Sequence, residues 1–167
     1  MKTLYLLRHA KSSWDDAALA DRDRPLAPRG RKAARLIAEH LRRDGIVPAL
    51  VLCSAARRTR ETLEAIEPAL GGADIEVERD LYGASAGELL ERLHAVSEGV
   101  ESVMLIGHNP SIQSLALNLA GTGDDLDAIA QKYPTGALAT LTFEVSWREL
   151  ERDGAELAGF VRPRDLA

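Results

Sequence analysis

The chain has 167 residues, 46% of them hydrophobic and 28% charged, a composition that excludes disordered and fibrous classes and a length that fits one domain over residues 1–167. A formal net charge of −5 with a pI near 5.4 argues against a nucleic-acid binder, and 4% aromatics leave no stacking platform for single strands. No stretch approaches the roughly 20 apolar residues of a membrane span, residues 4–7 are too short for a signal peptide, and the single Cys53 cannot form an internal disulfide. The expected location is therefore cytoplasmic.

Residues 3–7 read as a first strand, broken at once by Arg8-His9. The Asp-rich stretch 14–24 follows as a loop, either beside a site or solvated. Residues 28–44 form a helix with Ala33, Ala34, Ile37 and Leu41 on one face and Gly45 ending it. A second strand covers 50–53, and Ser54 is placed as N-cap of a helix running to about residue 70, where Gly71-Gly72 turn the chain. Residues 75–77 make a weak strand, 86–96 a helix, 102–106 a strongly apolar strand and 111–120 another helix, with Gly121-Thr122-Gly123 as its stop. Residues 137–145 alternate like a strand near a sheet edge, and 156–161 add one more. The fold class is α/β: a three-layer sandwich with a mostly parallel central sheet, helices on both faces and an antiparallel edge strand.

Three apolar strands end in polar residues: Arg8-His9, Ser54 ahead of Arg57-Arg58, and Gly107-His108-Asn109. Ligands of open α/β sheets bind outside the carboxyl ends of the strands, so these groups can converge in one crevice. Two guanidiniums would clamp phosphate oxygens at any working pH. A neutral imidazole is a competent nucleophile toward a phosphate whose charge the arginines have spread, and a second, protonated imidazole would hold a non-bridging oxygen. Helices starting near Ser54 and Pro110 would aim free N–H groups at the anion. Such a site needs no metal and no cofactor, and no histidine pair shows zinc-ligand spacing with a supporting carboxylate.

Together, Arg8-His9-Ala10, Ser54 with Arg58 and Thr62, and Gly107-His108-Asn109-Pro110 resemble the histidine phosphatase superfamily. The segments RHAKSSW, DRDRPLAPRG, LYGAS, GHNPS and YPTGAL are most similar to its SixA-type phosphohistidine phosphatase branch, and the likeness runs from Lys2 to about Phe143. The resemblance implies that His9 accepts the phosphoryl group, that Arg8 and Arg58 clamp it, and that His108 is the second histidine of the pocket. Arg57 is the competing clamp, but it would point roughly 100° away from Arg58 on a helix. Ser12, Arg24 and Asn109 are candidate phosphate or substrate contacts. Ala10 stands where the motif usually has glycine, and Asp15 where mutase-like relatives carry asparagine.

The general-acid glutamate of mutase-like members has no secure match. Glu78 and Asp80 are the candidate acids, while alignment on Tyr82-Gly83 puts Arg79 there. An alkyl leaving group needs such an acid; a phosphoramidate nitrogen can be protonated before departure. The expected function is thus a phosphatase that passes a phosphoryl group to His9 and then to water, with a protein phosphohistidine as substrate. The alternatives are a phosphomonoesterase of small phosphorylated metabolites and a non-catalytic phosphate- or phosphoprotein-binding module. The oligomeric state stays open. Of the remaining motifs, His40 and His94 read as surface or boundary residues and Asp21-Arg22-Asp23 as a solvated loop. Cys53 reads as a core or near-site thiol, because the spacing of a cysteine-phosphatase loop lands on Thr59 rather than an arginine.

Overall fold

A computed structural model describes residues 1–167. In chain order the elements are β1 (Lys2–Arg8), α1 (Pro28–Arg43), β2 (Leu50–Ser54), α2 (Arg57–Ile66), β3 (Asp74–Glu78), α3 (Ala86–His94), β4 (Ser102–Gly107), α4 (Ser111–Leu119), β5 (Ala120–Thr122), α5 (Leu126–Gln131), β6 (Leu138–Phe143), β7 (Ala155–Val161) and α6 (Pro163–Leu166). They form one sheet of order β3-β2-β4-β1-β6-β7-β5. Strands β3, β2, β4 and β1 are parallel neighbours. Strand β6 runs antiparallel to both β1 and β7, and β5 pairs parallel with β7. No helix is long and apolar enough to cross a membrane.

The unbroken apolar runs of β1, β2 and β4 follow from burial on both faces. Leu4, Leu6, Leu52, Val103 and Leu105 pack with Leu89 and Leu93 of α3 and Ile112 and Leu115 of α4. Their alternate neighbours Leu7, Val51, Cys53, Met104 and Ile106 pack with Ile37 and Leu41 of α1 and Leu63 and Ile66 of α2. The sheet is therefore the middle of three layers. Cys53 lies wholly inside the second of these clusters, and burial pushes its thiol up to about 12, so it is an inert core residue.

Several local expectations change. Ser54 is the last residue of β2 rather than an N-cap; α2 begins at Arg57 after Ala56, whose side chain has no capping oxygen. That helix ends at Ile66, and Pro68, which cannot donate into a continuing helix, sits in the 3-10 turn Glu67–Ala69. The N-terminal device missed in the sequence is Ser85, which forms a reciprocal capping box with Glu88 at the start of α3. The segment expected near a sheet edge forms β6, with β7 and β5 outside it. Gly121 and Gly123 do more than end α4: a Cβ on either would sit 2.5 Å from the carbonyl oxygen of Asp153 or Leu157, so their bareness lets β5 approach β7. His40, read as a surface or boundary residue, lies just inside the surface at 9% exposure, with Asp44 3.7 Å from its Nδ1.

Candidate active site

Strand order positions the site. Because β4 lies between β1 and β2, the tips of all three emerge side by side, with Arg8 in register with Gly107 and Cys53 with Ile106. The His9 amide donates to the Gly107 carbonyl at 3.0 Å, which continues the pairing one residue beyond β1. The rings of His9 and His108 then face each other with centroids 5.2 Å apart.

Each side chain is held from a different direction. Arg8 Nη1 donates to the Tyr133 carbonyl at 2.8 Å, and the Gly136 amide bonds the carbonyls of Arg8 and His9. The segment before β6 thus buttresses the end of β1. Arg58 enters from the first turn of α2 and is 7% exposed, whereas Arg57 is exposed and pairs with Glu61 of its own helix. One turn further, Thr62 Oγ1 donates to the Arg58 carbonyl and accepts from the Ala10 amide at 3.0 Å. The 54-58-62 spacing therefore ties α2 to the loop after His9. That loop also rests on α1. A Cβ at Gly30 would fall inside the Lys11 carbonyl, so only glycine allows the approach.

The protonation states follow from burial. His9 Nδ1 lies 2.7 Å from the Ala10 carbonyl, an acceptor only, so Nδ1 carries the proton. Burial first, then the charges of His108, Arg58 and Arg8, holds the imidazole at about 3. A neutral ring with Nδ1 protonated leaves the Nε2 lone pair free. Burial, with Arg58 and Arg8, likewise lowers His108 to about 4. In the free protein removal from water outweighs the attraction of Asp21, which leaves this ring neutral. Its Nε2 lies 2.7 Å from Ser54 Oγ.

Three buried polar atoms in this cluster have no hydrogen-bond partner: Arg8 Nε, Arg58 Nε and His108 Nδ1. A buried donor left unpaired costs roughly 1–3 kcal/mol. Two guanidinium donors and one ring nitrogen of a second imidazole thus lie unpaired beside the His9 ring, an arrangement chemically able to receive an oxyanion.

Asp21 belongs to this neighbourhood, contrary to the solvated-loop reading. Its carboxylate accepts from Tyr82 Oη at 2.6 Å, Arg58 Nη2 at 3.1 Å and Arg24 Nε at 3.3 Å, and its carbonyl accepts from Arg58 Nη1 at 2.8 Å. The Tyr82 bond, then Arg58 and Arg24, holds the acid at about 2. Arg24 is buried, donates to Ser12 Oγ at 2.8 Å and lies 3.5 Å from the Trp14 ring centroid. It thereby braces the loop after His9, with Ser12 as its acceptor. Both missed residues, Asp21 and Tyr82, stand inside the segments DRDRPLAPRG and LYGAS.

The other expected contacts are placed elsewhere. The Asn109 side chain is engaged by the Tyr133 carbonyl and the Gln113 amide at 3.2 Å each, which makes it a brace of its own loop. Glu78 is gripped by Arg92 Nε at 2.8 Å and Nη2 at 2.9 Å. Asp80 is exposed in the 3-10 turn Arg79–Leu81. Neither acid contacts the histidine pair.

Comparison with known proteins places this geometry in a family. A model of the histidine phosphatase superfamily (branch 1) matches residues 4–98. An uncharacterised protein of Mycobacterium tuberculosis is 38% identical over 164 residues, covering 95% of this chain and all of its own. A SixA-type chain from Agrobacterium tumefaciens superposes with a TM-score of 0.82 at 34% identity, over 97% of this chain and 98% of that one. The protein histidine phosphatase SixA complexed with tungstate gives 0.78 at 26% identity, over 99% of both chains. The paired imidazoles, the two buried arginines and the sheet that gathers them thus agree with whole-length similarity: the chain belongs to the histidine phosphatase superfamily, in its SixA-type branch.

Proposed function

We propose that this chain removes the phosphoryl group from phosphohistidine in a protein, by way of a phosphorylated His9. The observation that supports it most is the trio of unpaired buried nitrogens on Arg8, Arg58 and His108 around a histidine whose Nδ1 is fixed on Ala10. In the first step the Nε2 lone pair of His9 bonds to phosphorus as the P–N bond of the substrate breaks. The departing imidazole, protonated on its far nitrogen, takes the electron pair and leaves neutral. In the second step a water oxygen bonds to phosphorus, the electron pair returns to His9 Nε2, and inorganic phosphate carries away the water's protons. Arg8 and Arg58 would neutralise the equatorial oxygens throughout. A bound dianion would also raise the proton affinity of His108, turning it into a charged donor only in the occupied site.

The available acids favour a nitrogen leaving group. Glu78 is committed to Arg92, and Asp21 at about 2 has no proton to give near neutral pH. No carboxylate is therefore placed to protonate an alkoxide, and His108 is given to the phosphoryl oxygens, whereas an imidazole already protonated on its far nitrogen needs no acid. The test is turnover of phosphohistidine beside a simple alkyl phosphate, with acid-labile label mapped on His9. The expected result is a preference for phosphohistidine of about a hundredfold or more, the usual scale of a missing acid. A preference for the alkyl ester would favour the phosphomonoesterase. Phosphate binding without labelling of His9 would leave only a binding module.

A further inference from the structure

Beside the histidine cluster, across the Tyr82 ring, lies a second cleft of 440 Å³ walled by Arg22, Asp23, Arg60, Arg79 and Tyr82, with the Ala55-Ala56 backbone as floor. Three different pieces of chain supply its cations: the 3-10 turn Asp21–Asp23, the exposed side of α2 and the 3-10 turn Arg79–Leu81. None of the three guanidiniums is in an ion pair. Arg60 Nε alone is used, on the Ala55 carbonyl at 3.0 Å. Asp23 is the one carboxylate in the wall. On a chain with net charge −5 this is a local concentration of cation against the molecular average. Asp23 offsets one of the three cations, and the remaining surplus of positive charge attracts a further anion.

We infer that this cleft is an anion subsite that takes carboxylates of an acidic segment flanking the phosphorylated residue of a protein substrate. The inference rests on the reading of the His9 cluster as the phosphoryl site and adds what selects the substrate there. Tyr82 fixes the spacing. Its ring is 5.7 Å from that of His108 and 6.0 Å from Arg58 Cζ, and the same residue walls the cleft. A substrate segment running from the His9 cluster past this ring crosses about two or three residues of extended chain, at roughly 3.3 Å each. The cleft is exposed, so its contribution is a modest, salt-screened attraction that raises encounter and binding without touching the phosphoryl step.

The test uses two synthetic peptides that differ only in having Asp or Asn at the second and third positions from a single phosphohistidine. Release of inorganic phosphate gives kcat/KM at low salt, and fluorescence anisotropy of dye-labelled peptides reports binding directly. The wild-type protein is expected to favour the Asp peptide about fivefold in both readouts. The Arg60→Glu/Arg79→Glu variant should lose or invert that preference, and Arg60→Gln/Arg79→Gln should abolish it. At high salt, where the field of the cleft is screened, all three proteins should be labelled on His9 by free phosphoramidate at the same rate. Equal treatment of the two peptides by the wild type, or a preference that survives in the charge-reversed variant, overturns the subsite. Absence of His9 labelling would instead defeat the phosphatase reading, while the anisotropy comparison still decides the subsite.

Discussion

At the scale of single residues, the decisive contrast is between Arg57 and Arg58. They are adjacent in sequence, yet one extends into solvent against Glu61 and the other is buried against Asp21 with Nε unpaired. Arg58→Ala is expected to weaken tungstate binding, measured by calorimetry, by ten- to a hundredfold, the scale of a lost hydrogen bond to a charged group at roughly 1.5–3 kcal/mol. Arg57→Ala removes only a surface pair and should cost less than about twofold. Equal effects would show that Arg57 reaches the anion as well as Arg58 does. Most of this site was legible in the sequence because Arg8, His9, Arg58 and His108 follow strands or open helices in recognisable motifs. Asp21 was not legible. Its partners Arg58 and Tyr82 lie 37 and 61 residues away, and nothing in DRDRP distinguishes a solvated carboxylate from one held by three donors.

At the scale of elements, the loop after His9 depends on what packs under it. The Ala27 amide donates to the Lys11 carbonyl at 2.9 Å, and Gly30 in the first turn of α1 covers the same oxygen. Gly30→Ala must push α1 and this loop apart, moving Ala10 off Thr62 and with it the carbonyl that sets the His9 tautomer. Although alanine is the better helix former by about 1 kcal/mol, the variant should be less stable, by about 1–3 kcal/mol. It should also lose phosphatase turnover more than tenfold. Urea unfolding and phosphoramidate hydrolysis check both; a variant more stable than wild type would show that the loop yields freely. The helix starts were the least legible elements for a related reason. Ser54 and Ser85 both resemble caps, and only packing decided that Ser54 would end a strand and hold His108.

At the scale of the whole molecule, two histidines kept neutral by burial make folding stability depend on pH. An unfolded histidine titrates near 6.5, whereas His9 and His108 are held at about 3 and about 4. Below about 6.5 the unfolded chain binds protons that the folded chain refuses. Stability is therefore fully present above that pH and falls as the pH drops toward 4 and then 3. The slope approaches about 1.4 kcal/mol per pH unit for each histidine inside the window. The urea midpoint should thus decrease steadily from pH 7 to pH 5, and the His9→Gln/His108→Gln variant should show a shallower dependence. An unchanged slope in that variant would place the acid sensitivity elsewhere.

Local pattern was enough for the α/β alternation, the apolar strands and the chemistry at their tips, because periodicity and residue type act over a few positions. The register that sets His9 against His108, the neutral state of both rings, the carboxylate on Arg58 and the arginine cleft beyond Tyr82 came only with the folded chain. Each arises where segments far apart in sequence exclude water from one another, and both proton affinity and hydrogen-bond partner are properties of that shared environment rather than of any residue alone.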